Sequence, residues 1–365
     1  MFHNGVSRTY SDSPKYIAEY LLLQYPKELE IVFSVSSTKE SIIDTEKRIR
    51  FIKFQSFSYC YFAMTSKVFV TNNGGFAYLP LRKSQFVLNT WHGGGTFKRT
   101  GIETLKMNFF ARKDLLLVAK KTDAILSSSR FWTEFATEAW LINPEKFWGV
   151  GLPRNDLLLS GDVILQSEVR ERLGLHGDEQ LVLYAPTMRR ADNNPFSAMR
   201  SVAMDRFDPD RLLSAFCARF GGKWRLGFRQ HPGAVSNENM YQENVINLTA
   251  YPEMQELLLC ADALISDYSS SMWDFCLMKK PCFVYAEDLI EYAKSPGFLL
   301  PPEQWPYPIA HRFEELIAEI EGFDELKYQT RLDEYFTFLE SYEQGDAASI
   351  VGERVAEKCC VKRYN

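Results

Sequence analysis

The sequence predicts an α/β protein of two layered domains facing one another across a cleft. Short β-rich apolar runs alternate with helical stretches through both halves of the chain, the pattern of parallel strands joined by crossover helices. At 365 residues the chain exceeds what one hydrophobic core usually supports. A stretch opening with Gly149-Val150-Gly151-Leu152-Pro153 and running to about Gly177 reads as a hinge between the halves.

In the first half, Ser13-Pro14 opens a segment whose apolar residues Ile17, Tyr20, Leu21 and Leu22 suit a helix, with the proline in its first turn. Strand-like runs follow at 30–34, 67–71, 85–90 and 124–127. The second half repeats the rhythm at 181–185, 225–228, 245–248, 263–266 and 281–285, a second layered unit. The expected domains are 1–165 and 166–365. The tail is helical and amphipathic from Glu314, and its last segment, 347–358, is placed to cross back onto the first domain. Two such halves imply a ligand-binding cleft between them.

A hydrophobic fraction of 46% with 24% charged residues excludes a disordered or fibrous chain. A net charge of −5 argues against a nucleic-acid partner held by a general basic field, so any anion site is local. The seven cysteines are odd in number and lack paired metal-ligand spacing, which fits a reducing cytosol. The polar N-terminus is unlike a signal peptide, and no apolar run is long enough to span a bilayer. The expected location is the cytoplasm, with any membrane contact peripheral.

Five clusters carry candidate chemistry. Trp91-His92-Gly93-Gly94-Gly95-Thr96 follows an apolar strand. Glycines there let backbone approach a ligand, and a histidine at a strand's carboxyl end faces the crevice of an open sheet. His92 is therefore a candidate general base, with an ordinary pKa near about 6.5; the alternative is a histidine capping a turn. In Ser266-Asp267-Tyr268-Ser269-Ser270-Ser271 a strand meets a helix. Ser269 and Ser270 are candidate phosphate ligands there, or ordinary helix caps. Asp267 is placed for a ribose hydroxyl or a basic partner. Arg189, favoured over Arg190, follows the strand ending Tyr184-Ala185-Pro186-Thr187, and its planar donor fork suits phosphate. Arg229-Gln230-His231-Pro232 puts His231 beside a rigid turn, where it can donate to a phosphate oxygen. Gly151-Leu152-Pro153-Arg154-Asn155-Asp156 reads as a charged interdomain turn.

In this order the motifs resemble those of the CDP-glycerol glycerophosphotransferases of teichoic acid and capsule synthesis, nearly from end to end. The resemblance rests on Trp91-His92-Gly93, Gly151 to Asp156, Tyr184 to Arg189, Arg229 to Pro232, Ser266 to Ser270, Asp274-Phe275 and Lys280-Pro281, and on Tyr10 to Lys15 ahead of the first helix. The sequence departs from the family pattern at Gly94-Gly95, Met188 and Gln230, which bears on acceptor or polyol preference.

The resemblance implies two Rossmann-like domains of the GT-B type, with nucleotide in the second domain and acceptor approaching from the first. It makes His92 the base. His231, Arg189, Ser269 and Ser270 become ligands of the CDP phosphates, supported by Asp267, and Arg229, Gly93 and Arg154 belong to the matching substrate-binding motifs. The donor implied is CDP-glycerol or another CDP-polyol, and the acceptor a polymeric or lipid-linked glycan at the cytoplasmic membrane face. No carboxylate cluster announces a divalent metal. The rival readings are a CDP-ribitol-dependent transferase, a nucleotide-sugar glycosyltransferase of the same architecture, and a non-catalytic nucleotide-binding subunit of a polysaccharide assembly complex.

Overall fold

The computed structural model describes residues 1–37, 48–94, 98–103, 109–187, 189–190, 199–200, 207–230, 244–294 and 297–360. The chain divides into two compact units, one of residues 1–94, 100–160 and 339–365, the other of residues 95–99 and 161–338.

The first unit holds β1 (Phe2–His3), β2 (Ile31–Val35), β3 (Ile49–Lys53), β4 (Val68–Thr71), β5 (Phe86–Asn89), β6 (Ala124–Ser127) and β7 (Phe147–Gly149). They form one sheet in the order β3-β2-β1-β4-β5-β6-β7, parallel throughout. Strand order reverses between β1 and β4, so loops leaving their carboxyl ends diverge and open a crevice there. Successive residues of each strand face opposite sides of a sheet. Phe33, Val70, Leu88 and Leu126 accordingly pack on one face, and Val32, Phe69 and Val87 on the other.

Helices α1 (Asp12–Gln24), α2 (Phe57–Thr65), α3 (Phe109–Lys121), α4 (Arg130–Trp140) and α5 (Asp156–Ser160) connect this unit. The buried stripe of α1, Ile17, Ala18 and Leu21, packs with Val351, Val355 and Ala356 of the last helix. A Cβ on Gly352 would meet the Tyr20 ring at 2.2 Å, so only glycine permits this approach. Tyr20 and Tyr25 donate their hydroxyls to the two oxygens of Glu353, each at 2.6 Å.

The chain leaves the first unit at Ser160, inside the stretch read as a hinge, and returns at Leu339. The turn out of the first unit is made locally. Gly161, with φ +61°, turns the chain, and Asp162 caps the following helix, α6 (Val163–Arg172), through the Ile164 and Leu165 amides. Gln166 of that helix then donates to the Leu259 carbonyl at 2.9 Å, tying it to the second unit.

The second unit contains β8 (Glu179–Tyr184), β11 (Lys223–Phe228), β12 (Val245–Asn247), β13 (Ala263–Ser266), β14 (Cys282–Tyr285) and β15 (Ile309–Ala310), with a separate two-stranded ribbon of β9 (Arg189–Arg190) and β10 (Met199–Arg200). Its main sheet runs β12-β11-β8-β13-β14-β15, again parallel. Omitting the ribbon, this is the same winding order as the first sheet, and the reversal falls between β8 and β13. Around it lie α7 (Pro209–Phe220), α8 (Met254–Cys260), α9 (Ser271–Cys276), α10 (Leu289–Lys294), α11 (Phe313–Glu321) and α12 (Glu325–Leu339), before α13 (Ala347–Lys358) closes the first unit. Lys98 and Arg99 join the second unit, where Lys98 bridges Phe298 and the Arg99 amide donates to the Gly297 carbonyl at 3.3 Å.

Candidate active site

His92 stands one turn past the end of β5, and the residues that hold it come from the switch point of the first sheet. The chain leaves β5 through an Asx-type turn in which the Trp91 amide donates to Asn89 Oδ1 at 2.9 Å. Trp91 takes φ +55°, a left-handed conformation that costs a non-glycine residue of order 1 kcal/mol or more and that surrounding structure must hold in place. Here the indole packs edge-on against Trp140, ring centroids 3.9 Å apart. The next two carbonyls are fastened as well: Gly93 accepts from Trp132 Nε1 at 3.2 Å and Gly94 from the Ser128 hydroxyl at 3.1 Å.

The His92 ring is half-buried, and its Nδ1 lies 2.8 Å from the Asn72 carbonyl oxygen. A carbonyl only accepts, so Nδ1 carries the proton and the neutral ring's basic lone pair sits on Nε2. Asn72 follows β4, and its side chain spans the switch point. Nδ2 donates to Asn4 Oδ1 at 2.8 Å and Oδ1 accepts the Gly5 amide at 2.8 Å.

Arg154 was expected in a charged interdomain turn; instead Leu152, Pro153, Arg154 and Asn155 are buried. The motif around it ties down three chain segments. Arg154 Nη1 donates to the His92 carbonyl at 2.9 Å and to Asp12 Oδ1 at 3.3 Å. Glu343, on the returning chain, accepts from the Leu152 amide and from Asn155 Nδ2, both at 3.1 Å. Asp156 accepts the Ala347 and Ala348 amides at 3.1 and 2.7 Å, capping α13 from outside that helix. Burial pushes the Asp156 carboxyl up to about 6, and these two amides oppose the shift.

In the second unit the switch point is bridged by Asp267. Its carboxylate accepts the Thr187 amide at 3.0 Å, the Thr187 hydroxyl and the Tyr268 amide at 2.6 Å. Buried Asp267 thus braces the loop after β8 against the loop after β13. Ser269 Oγ accepts from the Ser271 amide at 3.3 Å and from its hydroxyl at 2.8 Å. Ser270 occupies the cap position of α9 without a side-chain capping bond. Both serines are half-buried. Arg229 donates through Nη2 to the Tyr251 carbonyl at 3.2 Å; burial lowers its pKa while Glu253 favours the charge. Arg189 is described only as backbone of β9, and His231 lies outside the described residues. Among the described residues no group of three or more His, Cys, Asp or Glu is disposed to hold a metal ion. Nor is any helix among them long and apolar enough to cross a membrane.

Sequence reasoning found His92 but not Asn72, Asp12, Glu343 or Asp156 as the residues that fix its surroundings. The available signals were the polar run Asn72-Asn73-Gly74-Gly75 directly after an apolar strand and the lone Asp12 ahead of a proline-marked helix.

Residues 1–357 match the family model described as CDP-glycerol:poly(glycerophosphate) glycerophosphotransferase. The chain belongs to this family. The teichoic acid poly(glycerol phosphate) polymerase of Staphylococcus epidermidis is 28% identical over 375 residues, covering 97% of this chain and 50% of that protein. The enzyme of the same name from Bacillus spizizenii is 26% identical over 372 residues, covering 97% of this chain and 91% of that protein. The chain thus spans half of the first relative and most of the second. A solved structure of the wall teichoic acid polymerase TagF superposes with a TM-score of 0.83 at 27% identity, over 98% of this chain and 87% of that one. The two parallel-sheet α/β domains are of the GT-B type, as the resemblance implied.

Proposed function

We propose that this protein transfers glycerol phosphate from CDP-glycerol to a hydroxyl of a teichoic acid, capsule or lipid-linked glycan acceptor, releasing CMP. The observation that carries this reading is His92, held at the sheet's switch point with its proton on Nδ1 and its basic lone pair on Nε2. Nε2 takes the proton of the acceptor hydroxyl, whose oxygen attacks the phosphorus bearing glycerol. The bond from that phosphorus to the bridging oxygen breaks in line, and CMP leaves with the electron pair. Ser269 and Ser270, with Arg189 and His231, hold the donor phosphates and offset the charge that develops on the leaving group. Removing one fixed donor of this kind typically costs about 2.7–4 kcal/mol of transition-state stabilisation. Arg154, Gly93 and Arg229 support the reaction by bracing the loops that carry these groups.

Contact with the cytoplasmic membrane face is assigned to α3. Phe109 and Phe110 are 76% and 77% exposed beside exposed Arg112, Lys113 and Lys120, an apolar-plus-basic surface suited to the headgroup region of anionic lipid.

Donor identity is tested by incubating the protein with CDP-glycerol, CDP-ribitol and UDP-sugars in turn, with a lipid-linked acceptor, and identifying the nucleotide released. CMP from CDP-glycerol supports the assignment; CMP from CDP-ribitol alone replaces the polyol, and UDP with sugar transfer replaces the reaction class.

A further inference from the structure

One carboxylate holds both residues that hold His92. Asp12 Oδ2 accepts from Asn72 Nδ2 at 2.7 Å, and Asn72 is the residue whose carbonyl takes the His92 ring proton. Asp12 Oδ1 accepts from Arg154 Nη1 at 3.3 Å, and the same nitrogen donates to the His92 carbonyl at 2.9 Å. One arm fixes the ring and the other fixes the backbone beneath it. The Arg154 and Asp12 side chains are only 8% and 14% exposed, a setting in which the cost of desolvating two charges offsets much of their attraction.

Asp12 also sits at φ +63°, in the left-handed region, with the Ser13 amide donating to its own Oδ1 at 2.6 Å. A strained residue at the start of α1 and a strained Trp91 beside the histidine thus flank one network. Such strain persists where the surroundings over-determine a conformation.

We propose that Asp12 is a positioning residue for His92: through Asn72 and Arg154 it fixes the imidazole in the tautomer with Nδ1 protonated and Nε2 basic. The proposal rests on the reading of His92 as the proton acceptor for its consequence in turnover, but the tautomer itself is measurable without turnover.

The experiment uses the full chain labelled with ¹⁵N-histidine, which has only five histidines, the His92 signal being identified by its loss in His92→Gln. Wild-type protein should show a pyridine-type Nε2 and a protonated Nδ1 at a pH where the ring is neutral. Asp12→Asn, nearly isosteric, should give a mixture of tautomers and lower kcat for CMP release roughly 10- to 100-fold, the usual scale for small misplacement of a reacting group, with KM for CDP-glycerol within about twofold of wild type. Asn72→Ala, which keeps the Asn72 carbonyl and the Asp12–Arg154 pair, is measured alongside as a second cut in the ring-holding arm, in case Asp12→Asn does not fold. A wild-type ring protonated on Nε2, or variants that keep both the wild-type tautomer and kcat, would overturn the proposal. If the tautomer changes in Asp12→Asn while His92→Gln leaves CMP release intact, the positioning stands and the proton-acceptor reading fails.

Discussion

Replacing Glu353 with alanine removes the acceptor shared by two tyrosine hydroxyls and tests how firmly the returning helix is fastened to the first unit. Tyr20 and Tyr25 each donate to a separate carboxylate oxygen at 2.6 Å, and Tyr25 is almost wholly buried. A hydrogen bond to a charged group contributes about 1.5–3 kcal/mol net. The carboxylate itself is half-buried, so the lower end applies and the two bonds together are worth about 3 kcal/mol. Packing of Val351 and Val355 remains, so α13 should loosen rather than detach. Hydrogen exchange of the α1 and α13 amides is the suitable assay, because it reports opening of these helices separately from the second unit. Glu353→Ala should lower their protection by roughly two powers of ten, Tyr25→Phe by about one, and the double variant little beyond Glu353→Ala alone. Protection unchanged within a factor of two in Glu353→Ala, or fully additive losses in the double variant, would refute the clamp.

His3 is buried with Nδ1 2.7 Å from the Ser34 hydroxyl, and burial, with Arg8 nearby, lowers its pKa to about 4. A depressed folded-state pKa contributes stability that is present above the unfolded value near 6.5 and lost as pH falls through 4, amounting to about 3 kcal/mol; urea midpoints of wild type and His3→Gln between pH 7 and 4 check it. Asp156 runs the other way: its raised pKa gives stability present below the unfolded value of 3.8 and lost as pH rises through about 6. Asp156→Asn should therefore steepen the net loss on acidification, again read from urea midpoints. Flotation with anionic vesicles should recover the wild-type protein and fail for Phe109→Ser/Phe110→Ser, with urea stability unchanged because both rings are exposed.

Strands buried on both faces were legible because they are continuous apolar runs: 124–127 and 263–266 coincide with β6 and β13. The strands that escaped notice lack that signal. β3 interleaves Arg50 and Lys53 with its apolar residues because it is an edge strand and half-exposed. β7 and β15, at the opposite edges, are three and two residues long. β1 is central yet only two residues long, too short to show a period. In the site, His92 was legible because a histidine and glycines directly after a strand form a local pattern. Asp12 and Asn72 were not, and Arg154, read as part of a substrate-binding motif, gave no sign of its bond to Asp12, since these contacts join loops far apart in sequence that only the reversal of strand order brings together. Asp267 was read as placed for a ribose hydroxyl or a basic partner and as a support of the phosphate ligands; that the Thr187 and Tyr268 amides donate to its carboxylate was not legible, because a short-range motif does not reveal which backbone amides will converge on it.

The most direct test of the central claim is acceptor-stimulated release of CMP from CDP-glycerol by the purified protein, compared with His92→Ala. The account predicts CMP in step with glycerol phosphate appearing on the acceptor, and a loss of at least about 100-fold in His92→Ala, the scale of a general base, with donor binding retained. Undiminished CMP release by His92→Ala, or tight CDP-glycerol binding with no CMP from either protein, would contradict it.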